Sequence, residues 1–107
     1  MKKKWLLYGA NGYTGQLIAR EARQRGLQPI LAGRNDESIA AIAAETGFDK
    51  LVFDLEDTVA VNKALRGISV VLHCAGPFSV TSQAMIEACL ENGCHYLDIT
   101  GEISVFA

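Results

Sequence analysis

Residues 9–15 read Gly9-Ala10-Asn11-Gly12-Tyr13-Thr14-Gly15 and directly follow the apolar run Trp5-Leu6-Leu7-Tyr8. A strand feeding a glycine-rich turn that opens a helix is the arrangement that holds a pyrophosphate. Gly9 and Gly12 allow the tight turn and a close approach of backbone to ligand, and Gly15 lets the new helix pack near the strand. That helix is expected over about residues 14–25, with its unpaired N–H groups and positive dipole end facing the phosphates. The spacing is Gly-x-x-Gly-x-x-Gly. In the commoner Gly-x-Gly-x-x-Gly register Ala10 takes the first glycine's place, a small change that does not close the loop.

A second apolar run, Pro29-Ile30-Leu31-Ala32, ends in Gly33-Arg34-Asn35. In a dinucleotide fold the end of the second strand meets the adenosine ribose. An acid there binds the free 2′-hydroxyl of NAD, whereas an arginine suits the 2′-phosphate of NADP. This chain has the arginine and no acid there. The cofactor expected is therefore NADP (as NADPH), with NAD less favoured.

Outward from these two segments, apolar runs and helical stretches alternate along the chain, the pattern of an α/β fold with a parallel sheet and crossover helices. Strands are expected at about residues 4–8, 29–32, 50–54, 70–74 and 95–100, and helices at about 14–25, 36–46, 57–66 and 81–91. Gly26, Gly47 and Gly67 close the first three helices, Asn35 or Asp36 caps the second, and Asp57 caps the third. The fourth strand is β-branched and nearly uncharged, as a central strand buried on both faces should be. With right-handed crossovers the order is 3-2-1-4-5, a Rossmann-type doubly wound sheet with helices on both faces. The first and fourth strands then flank the switch point, so the Gly9–Gly15 loop and Ala75-Gly76-Pro77-Phe78 border one crevice. Gly76-Pro77 falls near the nicotinamide ribose. Asp54, ending the third strand, either accepts from the adenine amine or serves as a strand-end turn former. His73 reads as a core histidine, and Asp98, Thr100 and Glu102 are lesser candidates at the end of the fifth strand.

At 107 residues the chain is one domain. A net charge of −2 provides no electrostatic footprint for nucleic acid. Lys2-Lys3-Lys4 is a solvated lead-in to the first strand rather than a signal peptide, because only four apolar residues follow before Gly9. No stretch approaches the ~20 apolar residues of a membrane span. Cys74, Cys89 and Cys94 match no zinc spacing, so no metal is expected. They read as buried, reduced thiols of a cytoplasmic protein.

Four segments together, Leu7 to Gly15, Leu31 to Asn35, Cys74 to Phe78 and Tyr96 to Glu102, resemble the N-terminal NADP-binding domain of saccharopine dehydrogenase-like oxidoreductases. The branch they look most similar to includes trans-acting enoyl reductases. The resemblance covers essentially the whole chain, is specific for the domain type and leaves the reaction open. It implies a cofactor site made of Gly9, Ala10, Asn11, Gly12, Tyr13, Thr14, Gly15, Gly33, Arg34, Asn35, Asp54, Ala75, Gly76 and Pro77. It also implies a longer parent whose C-terminal portion supplies most of the substrate pocket, with this chain as its N-terminal fragment.

Two function classes follow. One is the NADP(H)-binding domain of an oxidoreductase that presents the nicotinamide for hydride transfer to a small-molecule substrate. The other is a non-catalytic module that senses the NADP/NADPH ratio. No lysine stands four residues after Tyr8, Tyr13 or Tyr96, so the tyrosine–lysine pair of a self-contained short-chain dehydrogenase is missing and no catalytic residue is assigned. The expected fragment is inactive alone, and its exposed fifth strand favours a homodimer.

Overall fold

The computed structural model describes residues 4–74 and 78–98, without the side chains of residues 78–82 and 98. Nine elements alternate along the described chain: β1 (Lys4–Tyr8), α1 (Tyr13–Gln24), β2 (Ile30–Gly33), α2 (Asp36–Thr46), β3 (Lys50–Val52), α3 (Thr58–Ala64), β4 (Ile68–His73), α4 (Phe78–Asn92) and β5 (His95–Asp98). All strand pairs are parallel, in the order β3-β2-β1-β4-β5. This is the Rossmann-type α/β sheet expected from the alternation. Several boundaries move by one to three residues: β3 stops at Val52, β4 begins at Ile68, and α4 begins at Phe78 rather than near Thr81.

Parallel strands buried on both faces need two cores, and the sheet has them. On one face Leu6, Tyr8, Ala32, Phe53 and Val71 pack beneath Val61 and Leu65 of the α3 region and Met85, Ala88 and Cys89 of α4. On the other, Leu7 and Leu31 pack beneath Ala19 of α1 and Ile39, Ile42 and Ala43 of α2. The two sets alternate along each strand, as the two-residue period of a strand requires. In α1 the buried positions Gly15, Ala19 and Ala22 recur every three or four residues and are all small, which lets the helix lie close to β1.

On the α1/α2 side the sheet also bears an apolar groove of about 280 Å³ lined by Lys4, Trp5, Ser69, Val70, Leu72 and Leu97. Leu97 belongs to the edge strand β5 and is 52% exposed. Among the described residues no helix is long and apolar enough to cross a membrane.

Candidate functional site

The carboxyl ends of β1, β2 and β3 carry Gly9 to Gly15, Gly33 to Asn35 and Asp54 of the residues singled out from sequence. After Tyr8 the chain turns at Gly9, whose φ of +84° is the left-handed region that favours glycine. Gly9 N–H and Ala10 N–H both donate to Ala32 O, at 2.7 and 3.2 Å, which ties the start of the loop to the neighbouring strand. Gly12 N–H then donates to Gly9 O at 3.0 Å and closes the turn. Ala10 is fully buried beneath the loop. The left-handed conformation thus belongs to Gly9; Gly12 has an ordinary φ of −77° and is exposed. Gly15 is required for another reason: a Cβ there would stand 2.7 Å from Ala10 Cα and within 3.0 Å of two Gly9 backbone atoms.

The N-terminus of α1 is built unlike those of α2 and α3. Asn35 caps α2, accepting from Ser38 N–H at 3.0 Å, and Asp36 and Glu37 add negative charge in its first turn. Asp57 caps α3, accepting from Ala60 N–H at 3.1 Å. On α1 the N-cap is Gly12, no side chain caps the helix, and its first turn holds no acid. Its leading N–H groups and dipole could therefore hold an anion. Tyr13 and Thr14 are exposed beside it.

Gly33 ends β2. A Cβ there would meet Ile39 at 2.7 Å and Asn11 Oδ1 at 3.1 Å, so the bare position lets the loop's Asn11 side chain lean across the end of β2. Arg34 follows, exposed, and among the described residues no carboxylate pairs with it. Asn35 is exposed, with its Oδ1 engaged in capping α2. Asp54 is exposed too, and its Oδ1 accepts from Glu56 N–H at 2.9 Å, the bond of a strand-end turn former. Ala75, Gly76 and Pro77 lie outside the described residues, as do Thr100, Glu102 and the Asp98 side chain.

Beneath the site runs a row of rings not anticipated from the sequence. Tyr8 packs on Phe53 at 5.2 Å and stacks on His73 at 5.7 Å, and His73 meets Tyr96 at 6.0 Å. His73 is fully buried, as a core histidine should be. The Tyr8 hydroxyl donates to Phe53 O at 3.1 Å. Burial first, and the Asp54 carboxylate second, push the phenol up to about 12, while Arg34 acts against them. Arg34 and Asp54 therefore both exert their fields on Tyr8, so the ends of β1, β2 and β3 form one electrostatic neighbourhood.

The family description "Saccharopine dehydrogenase NADP binding domain" matches residues 5–105. This chain belongs to that family. It is 26% identical to the human "Saccharopine dehydrogenase-like oxidoreductase", with 91% of this chain aligned to 27% of that protein. It is 31% identical to the "Lipid droplet localized protein" of Caenorhabditis elegans, over 91% of this chain and 26% of that one. The chain thus spans about a quarter of the length of these curated relatives. Among solved structures, saccharopine dehydrogenase (L-Glu forming) from Saccharomyces cerevisiae superposes with a TM-score of 0.79 at 19% identity, covering 91% of this chain and 21% of that chain. The chain is an NADP-binding domain of the saccharopine dehydrogenase-like oxidoreductases.

Proposed function

We propose that this domain binds NADP(H) across the carboxyl ends of β1, β2 and β3 and prefers it to NAD(H). The observation that carries the reading is the pairing of an α1 N-terminus without a side-chain cap with an exposed Arg34, unpaired among the described residues, at the end of the next strand. The first suits a pyrophosphate and the second a 2′-phosphate. Gly9, Gly12 and Gly15 shape the loop, Asn11 leans from it across Gly33, and the sequence assigns the nicotinamide ribose to Ala75, Gly76 and Pro77. When bound, the cofactor supplies or accepts a hydride at its nicotinamide.

In the parent protein the domain holds that ring against a small-molecule substrate whose imine, carbonyl or enoyl carbon exchanges the hydride. Relatives about four times as long are the support for a substrate wall formed outside these 107 residues. The three free thiols, Cys74, Cys89 and Cys94, fit a reducing compartment such as the cytoplasm. Calorimetric titration of the chain with NADPH and with NADH tests the cofactor reading. Tighter binding of NADPH is expected, and equal or reversed affinities would overturn the preference.

A further inference from the structure

The Asn11–Gly12 peptide sits at the apex of the glycine loop, and both its polar groups are tied down. Its N–H, on Gly12, donates to Gly9 O at 3.0 Å. Its carbonyl, on Asn11, accepts from the Gln16 side-chain Nε2 at 2.7 Å. A peptide group is planar, so holding both ends fixes its orientation and opposes a flip of the loop.

Gln16 is itself held. Its Oε1 accepts from Arg20 Nη2 at 3.1 Å, one helical turn further along α1. Arg20 in turn reaches α2, where the Glu45 carboxylate accepts from its Nε at 2.5 Å and its Nη2 at 3.0 Å. The neighbours also decide which way the Gln16 amide points. A flipped amide would set its NH₂ against a guanidinium and its oxygen against the Asn11 carbonyl. A continuous chain of donors and acceptors therefore runs from α2 through α1 to the loop apex: Glu45, Arg20, Gln16, Asn11.

We infer that Gln16 is a positioning residue for the dinucleotide, holding the Asn11–Gly12 peptide in the orientation that receives the pyrophosphate, with Arg20 and Glu45 anchoring it. The inference deepens the reading of this loop as the phosphate site and rests on it. Gln16 touches no reacting atom. Its effect is preorganisation, which removes part of the ordering cost that binding would otherwise carry.

The test replaces Gln16 by Met, which keeps the length of the side chain and loses both polar atoms. NADPH affinity is expected to fall about 3- to 10-fold, the size of one neutral hydrogen bond. Adenosine 2′-monophosphate, which has no pyrophosphate, should bind the variant as it binds the wild type. Amide hydrogen exchange at Gly12 in the ligand-free chain should quicken, because the tied peptide is released. Arg20→Met, which frees the Gln16 amide without removing it, should act in the same direction with a smaller loss.

Unchanged NADPH affinity and unchanged Gly12 exchange in Gln16→Met would overturn the inference. An equal loss for both ligands would overturn it too, since that signals a general disturbance of the fold. A wild-type chain that binds neither NADPH nor adenosine 2′-monophosphate would instead sink the functional reading, and this inference with it.

Discussion

A Cβ on Gly15 would stand 2.2 Å from the carbonyl oxygen of Gly9. The obstacle is backbone, already engaged by Gly12 N–H, so it cannot swing aside as a flexible side chain would. Gly15→Ala should therefore destabilise the fold by about 1–3 kcal/mol or more, the range for overpacking a tight contact. Gly12 offers a contrast, since a Cβ there meets only Gly9 O at 3.4 Å with φ at −77°. Gly12→Val should fold with a loss of about 1 kcal/mol, from a poor N-cap residue, yet fail to bind NADPH because its side chain fills pyrophosphate space. Thermal melting and NADPH titration of both variants check the pair. Normal affinity in a folded Gly12→Val chain would place the phosphates elsewhere.

Arg34→Ala tests the 2′-phosphate. A charge-assisted hydrogen bond contributes about 1.5–3 kcal/mol, so NADPH should weaken about 10- to 100-fold while NADH changes little. Calorimetry showing equal losses for the two cofactors would remove Arg34 from the site.

The raised Tyr8 phenol has a consequence at alkaline pH. The folded chain keeps this proton up to about pH 12, whereas the unfolded chain releases it near the ordinary value of 10. Its contribution to stability is thus complete below pH 10 and is lost as the pH climbs through 12. Burial likewise pushes the Cys74 thiol up to about 11 and, with the neighbouring Cys94, the Cys89 thiol up to about 12. These deepen the decline and start it earlier, from the ordinary thiol value of 9. Tyr8→Phe should lower stability below about pH 10 by losing the bond to Phe53 O, but should make the fall between pH 10 and 12 shallower. Urea unfolding across that window separates slope from offset.

Among the described residues β5 has no strand neighbour on its outer side, since it stands last in the sheet, and Leu97 on it is half exposed. An edge of this kind pairs readily with a second copy. The chain should self-associate at high concentration, and Leu97→Lys should shift it toward monomer in light scattering. A wild-type chain that stays monomeric throughout would remove the association.

The sequence made the architecture legible because glycines, caps and apolar runs are local signals. Asn35 and Asp57 cap the helices expected of them, and Gly9, Gly15, Gly33 and Arg34 stand where a strand–loop–helix reading puts them. Strand ends were less legible. Asp54 lies beyond β3 because its carboxylate turns back to Glu56 N–H, a competition between side chain and ladder that an apolar run does not register. The fixed peptide at the loop apex was not legible at all. Gln16 sits on the α2-facing side of α1 beside Arg20, where it reads as one more solvated polar residue. Its bond to Asn11 O depends on how the turn is folded, and the ring row from Phe53 to Tyr96 depends on strand register.

The glycine N-cap of α1 couples ligand supply to the integrity of the chain. A helix start without a side-chain cap leaves its first N–H groups to water until an anion takes them. Here that anion arrives in solution, so the folded population follows the concentration of the dinucleotide: about 2.7 kcal/mol of added stability at a hundredfold excess over the dissociation constant. Depletion of the cofactor pool would then lower how much of this protein stays in folded form.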